Sequence, residues 1–139
     1  MDIPYVQQSL KNSCGAASLA MLLAHKGIFV EEQHLIDVLG IVDHGSTSQS
    51  ALRKVLKSHS LQFQEFAEKV THKDASQLIE SNTIKIVPDS FSLLKSYLDK
   101  DIPCLVNFAP DPFGHFSIAL AVDEEFIYLH DPSRGAFYE

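Results

Sequence analysis

From Cys14 to Lys26 apolar residues crowd nearly every face of a helical wheel: Ala17, Leu19, Ala20, Leu22, Leu23 and Ala24. This pattern predicts a helix buried almost all round, with Gly27 as its stop. A second helix is predicted over Glu31 to Leu39, its acidic start suited to the positive end of the helix dipole and Gly40 ending it. A third runs from about Ser48 to His59, with Leu52, Val55 and Leu56 on one face. Leu61, Phe63 and Phe66 set among polar residues predict a strand. Asp74 to Gln77 has the form of a capping box opening a short helix through Ile79, and Thr83 to Val87 reads as a short strand. A further helix, from Asp89 or Ser90 to Lys100, carries Phe91, Leu94, Tyr97 and Leu98 at helical spacing. The last third changes period. Ile102 to Phe108 and Phe116 to Val122 are apolar runs, and Phe126 to Leu129 follows the charged turn Asp123 to Glu125. Helices first and strands afterwards predict an α+β fold, an N-terminal helical half packed against a C-terminal antiparallel β-sheet half. The cleft between the halves is the natural place for a site.

The chain, 139 residues with 45% hydrophobic positions, holds one core's worth of apolar residues and no repeat or linker, so residues 1–139 are read as a single domain. Its two cysteines, Cys14 and Cys104, are far apart and lack the paired spacing of a zinc ribbon or a disulfide lattice. The seven histidines show no i, i+4 pairing, so neither a metal nor a cofactor is called for. Eleven Lys plus Arg against eighteen Asp plus Glu give a net charge of -7, with the basic residues scattered singly, which argues against a nucleic-acid partner. The start of the chain, MDIPYVQQSLKN, has neither a basic segment nor an apolar core. No run approaches the roughly 18 to 20 apolar residues of a membrane helix. The expected location is cytoplasmic.

Against this frame a few residues carry possible chemistry. Cys14, in Asn12-Ser13-Cys14-Gly15-Ala16, stands at the start of the most apolar helix. The unsatisfied N–H groups there favour the thiolate and are expected to lower its pKa. As a lone feature it reads equally well as a small buried hydrophobe. Gln8, six positions upstream, could place an amide near the helix start and, with the Cys14 N–H, donate to a developing oxyanion. A loop Gln is more often simply solvated. His115 follows Gly114 at the head of a strand, where its ring could be held beside a nucleophile on the other half. Asp131 ends the next strand, and Pro132 after it terminates pairing. A hairpin about the turn at 123–125 would make His115 and Asp131 cross-strand neighbours, the carboxylate fixing the ring's tautomer. The bland alternative is an ordinary Asp-Pro turn. His130 should point to the opposite side of the strand, and Cys104, mid-strand, reads as inert core.

Taken together, Gln8-x5-Cys14-Gly-Ala-Ala, Gly114-His115-Phe116 and Asp131-Pro132 resemble the double-glycine leader peptidase family, the bacteriocin-processing branch of the papain-like cysteine proteases. The resemblance spans nearly the whole chain. It implies a papain-like fold, Cys14 as nucleophile, His115 as general base and acid, Asp131 as orienter of His115, and Gln8 as oxyanion-hole donor. It further implies a leader-peptide substrate cut after Gly-Gly or Gly-Ala, and an ABC exporter as partner. The chain departs from the family in three ways. Ser13 stands where an acidic residue is frequent. The 101 positions from Cys14 to His115 look longer than in exporter-fused domains, so part of Gly40 to Val87 reads as an insertion. The eight residues after Asp131 fit either a stand-alone relative or a domain cut from a longer exporter.

Two other readings share these residues. Phytochelatin synthases, which transfer an acyl group instead of hydrolysing, look similar around the nucleophile and carry a run like His115-Phe116-Ser117, but their Asp is not followed by Pro. A non-catalytic module holding a leader peptide in the old cleft is the other, and the presence of all four chemical residues argues against it.

Overall fold

The computed structural model describes residues 2–41, 48–68, 75–81, 84–108, 115–133 and 135–138. Three helices open the chain: α1 (Cys14–His25), α2 (Glu32–Leu39) and α3 (Gln49–Ser58). A short parallel pair, β1 (Glu65–Ala67) and β2 (Ile84–Ile86), flanks α4 (Ala75–Glu80). After α5 (Ser90–Asp99) come β3 (Cys104–Phe108), β4 (His115–Val122), β5 (Ile127–Asp131) and β6 (Gly135–Tyr138), a four-stranded antiparallel sheet in chain order.

The helix boundaries follow the local chemistry. Gly40 takes the left-handed conformation at φ +68° that closes α2. Ser48 caps α3 by accepting from the Ala51 N–H at 3.4 Å, and Asp89 caps α5 by accepting from the Phe91 and Ser92 N–H groups. Asp123 shapes the turn between β4 and β5 by accepting from the N–H groups of Glu125 and Phe126.

Two packing partners explain why α1 is apolar all round. On one side Ala16, Leu19, Ala20 and Leu23 meet Leu35, Ile36 and Leu39 of α2 and Leu52 and Val55 of α3, and Phe116 of β4 closes this cluster. On the other, Met21 packs with Ile3, Ile118 and Leu120. The opposite face of the sheet is covered by α5, where Leu98 meets Ala119 and Leu129. With both faces covered, β4 is a continuous apolar run instead of an alternating one. Bidentate Arg53–Glu65 hydrogen bonds at 2.6 and 2.9 Å tie α3 to β1, and the Phe66 and Tyr97 rings bring β1 to α5.

Three expectations are revised or fall outside view. β5 ends before Pro132 as expected, but the sheet goes on: the chain turns at Pro132 and Ser133 and returns as a further strand, β6, pairing Asp131 with Gly135 and Leu129 with Tyr138. The two short strands form a separate parallel pair, a long-range match that no local pattern encodes. Asp74 of the expected capping box, the loop before His115 and, within the stretch 40–87 read as part insertion, residues 42–47, 69–74 and 82–83 lie outside the described residues. Among the described residues no helix is long and apolar enough to cross a membrane.

Candidate active site

The site forms where the N-terminus of α1 meets the head of β4 and the end of β5. The segment before α1 is strapped along β5 by three hydrogen bonds. The His130 ring bonds the Ile3 carbonyl at 2.7 Å, the Tyr5 hydroxyl donates to the Asp131 carbonyl at 2.8 Å, and the Gln8 N–H donates to the Pro132 carbonyl at 3.0 Å. His130 therefore faces away from Asp131's side chain, as alternation along a strand requires, and its ring meets Tyr5 edge-on. The strap delivers Gln8 beside the end of β5 and aims the chain into α1.

His115 and Asp131 come together. The β4–β5 register pairs Ile118 with His130 and Ala119 with Leu129. Continued, it sets Asp131 opposite Ser117, so His115 reaches Asp131 diagonally on the same face instead of directly across. His115 Nε2 lies 2.8 Å from Asp131 Oδ1. The same oxygen accepts from the Ser133 hydroxyl at 2.8 Å and the Ser133 N–H at 2.9 Å. Burial works to raise the Asp131 carboxyl, but the hydrogen bonds from His115 and Ser133 and the attraction to His115 outweigh it and hold it below its ordinary value. An ionised carboxylate only accepts, so Nε2 carries a proton and Nδ1 is the ring atom left to exchange one. Asn107 Oδ1 accepts from the His115 N–H at 3.0 Å, fixing the strand head from the β3 side. Asp131 thus satisfies both sequence readings, because it closes an Asx turn and orients a histidine.

Stability should report this carboxylate. With a folded value below the unfolded one, Asp131 contributes stability that is fully present above the ordinary carboxylate value of about 3.9 and is lost as pH falls through the depressed folded value. The stability gap between wild type and Asp131→Asn, measured by urea unfolding, is expected to be constant near neutrality and to close in that acid window. A gap independent of pH down to 2 would contradict the ionised pair.

Cys14 is half-buried at the first position of α1, where the nearby backbone N–H groups of Phe116, Gly15 and Cys14 itself favour its anion. Phe116 directly follows His115, so the thiol lies at the head of the strand carrying the ring. Among the described residues no hydrogen bond joins sulfur and ring. The expected lowering of the thiol's pKa is corrected by the surroundings: burial pushes it up, the three N–H groups pull it down, and the nearby Asp131 charge adds to the rise, leaving it above the ordinary value. Desolvation of a thiolate outweighs the helix end here. The sulfur rests as a thiol beside donors that would stabilise its anion.

Gln8 is placed near this cluster but is turned into its own loop. Its Nε2 donates to the carbonyls of Leu10 at 2.7 Å and Lys11 at 3.0 Å, and its Oε1 is buried with no partner among the described residues. Both of its amide hydrogens are therefore in use. Cys104 is separate from the site. Burial raises its thiol to about 11, which is the behaviour of an inert sulfur. Sequence reasoning missed Tyr5, Ser133, Asn107 and Glu32. Only Ser133 had a local signal, since Asp131-Pro132-Ser133 is an Asx-turn sequence; the others act across long sequence separations.

The family model described as Peptidase_C39 like matches residues 1–138. The fold resembles the crystal structure of a double glycine motif protease from an AMS/PCAT transporter in complex with the leader peptide, with a TM-score of 0.60 and 20% identity, covering 96% of this chain and 76% of that one. At that identity the likeness is one of fold. No curated protein sequence matches the chain.

Proposed function

The chain belongs to the Peptidase_C39 like family, and from that premise we propose that it is a cysteine peptidase that hydrolyses a leader peptide after a Gly-Gly or Gly-Ala pair. The observation that carries this reading is the meeting of three groups. Cys14 stands at the start of α1 close enough to Phe116 for that residue's N–H to favour the thiolate, and His115, which directly precedes Phe116, is held by Asp131 through Nε2.

In the proposed reaction His115 Nδ1 takes the Cys14 proton as the substrate enters, and the sulfur attacks the scissile carbonyl carbon. Because the resting thiol is held above its ordinary value, this transfer accompanies substrate engagement instead of preceding it. Charge on the tetrahedral oxygen is met by the Cys14 N–H and by the Gln8 amide, which must release one of its loop carbonyls to donate. Collapse expels the amine, which takes the proton from His115 and leaves a thioester on Cys14. Water, giving a proton to His115, then attacks the thioester carbonyl; the C–S bond breaks, the sulfur takes the proton back from His115 and the acid is freed.

The substrate class follows the family and the double-glycine protease whose fold this chain shares. In this reading the site requires glycine on the acyl side of the bond it cuts. The test is a panel of peptides identical except for the acyl-side pair, with products identified by mass. Cleavage is expected after Gly-Gly and Gly-Ala and to fall steeply for Ala-Ala. Equal cleavage of all three would sink the glycine requirement while leaving the chemistry standing. A cargo exporter as partner and a cytoplasmic setting belong to the same proposal, since a leader is removed before its cargo leaves the cell.

A further inference from the structure

Ser13 occupies the N-cap of α1 but does not cap it. An N-cap serine ordinarily turns its hydroxyl onto the N–H of the second or third helical residue, here Gly15 or Ala16. Instead Ser13, fully buried, accepts from the Leu10 N–H at 3.0 Å and points at Glu32 Oε2, 2.9 Å away on the first turn of α2. The Leu10 carbonyl lies slightly further off at 3.1 Å, and a hydroxyl with one proton favours the shorter, charge-assisted acceptor. The same Glu32 carboxylate also receives the Ser9 N–H, at 2.9 Å to Oε2 and 3.3 Å to Oε1. One acidic side chain from a different helix therefore fastens both ends of the loop that runs from Gln8 to Cys14. With the Ser13 hydroxyl drawn away, the Gly15 and Ala16 N–H groups are left without their ordinary side-chain cap, at the end of the helix where the Cys14 sulfur sits.

We propose that Glu32 is a positioning residue for this site: by holding Ser9 and Ser13 it keeps the Ser13 hydroxyl off the N-terminus of α1 and reserves the first-turn N–H groups for the Cys14 sulfur and the oxyanion. The inference rests on the peptidase reading for its kinetic consequence, but not for its effect on the thiol.

The test compares Glu32→Ala and Glu32→Gln with wild type in two assays. In the first, the pH dependence of Cys14 alkylation by iodoacetamide is followed by mass spectrometry on the free protein. The charged and titratable groups facing or reaching Cys14 are His115 from β4, Asp131 from β5 and Glu32 itself through Ser13, so removing Glu32 removes a negative charge. Electrostatics alone would shift the alkylation midpoint down in both variants. The positioning role predicts the opposite in Glu32→Ala, an upward shift as the released hydroxyl competes for the first-turn N–H groups. Glu32→Gln should lie near wild type, because its carbonyl oxygen can accept from both Ser9 and Ser13. In the second assay, kcat for a Gly-Gly peptide is expected to fall about 10²-fold in Glu32→Ala with KM little changed, the usual penalty for a small misplacement of reacting groups. Glu32→Gln should restore most of it. A downward shift in both variants, or a lowered melting temperature with kcat and the alkylation profile unchanged, would overturn the inference. If wild type cleaves none of the peptides, the peptidase reading fails, and the alkylation arm still decides the role of Glu32.

Discussion

Cys14→Ala is expected to abolish peptide cleavage, a loss on the order of 10⁶-fold in kcat, while the protein remains folded. The size of the loss follows from its role: with no sulfur there is no thioester route, and what survives is the binding and polarisation offered by the backbone N–H groups. The retained fold follows from where Cys14 sits. It is a half-buried first residue of α1, whose anchorage comes from Ala16, Leu19, Ala20 and Leu23 further along. Alanine is the strongest helix former and keeps the backbone N–H in place. A thiol whose charged form is disfavoured by burial contributes little that alanine removes. Thermal unfolding should show a midpoint within about 5 °C of wild type, a shift of roughly a kilocalorie per mole or less. A collapse in stability would place Cys14 in the core, and persistent cleavage would remove it from the chemistry.

His115→Ala is expected to cost nearly as much, and the double variant Cys14→Ala/His115→Ala to be no slower than either single one, because residues that act as a unit do not contribute additively. The pH profile separates this role from a structural one. In the proposed reaction His115 accepts the thiol proton, so wild-type activity does not wait on unaided ionisation of the sulfur. Without the ring the sulfur must ionise unaided, and burial with the nearby Asp131 charge pushes that ionisation upward. The residual activity of His115→Ala should therefore keep climbing with pH beyond the ordinary thiol range near 8.5. A parallel profile, merely scaled down, would assign His115 to positioning alone. Removing the ring also leaves Asp131 Oδ1, among the described residues, with the two Ser133 donors, so a modest stability loss accompanies the variant.

Much of this was legible in the chain because its signals are local and periodic. The apolar wheel of 17–24 encodes a helix packed on two sides, and the helices and the sheet stand close to where the pattern puts them. The meeting of His115 with Asp131 follows from one hairpin whose turn, at Asp123, is itself a local signal. What was not legible depends on contacts between distant residues. The β6 return is hidden because Pro132 reads as a terminator, yet it turns the strand back through Ser133. The thiol's pKa is not legible because a helix start is visible in sequence, whereas the burial of Cys14 against the core cluster is not. Gln8 shows the same limit from the other direction: its backbone N–H reaches the Pro132 carbonyl at the end of β5, but the orientation of its amide is set by the carbonyls of Leu10 and Lys11, which the spacing to Cys14 does not encode. Glu32, 19 positions beyond Ser13, left no trace at all in the local pattern.

The central claim is that Cys14 becomes covalently acylated during cleavage. An acid-quenched time course of wild type with a Gly-Gly leader peptide, digested and read by mass spectrometry, tests it directly. The account predicts the acyl fragment, ending in glycine, on the Cys14 sulfur and none on Cys104, with the adduct absent in Cys14→Ala. Peptide cleavage with no adduct on Cys14, or with the fragment on Cys104, would contradict it.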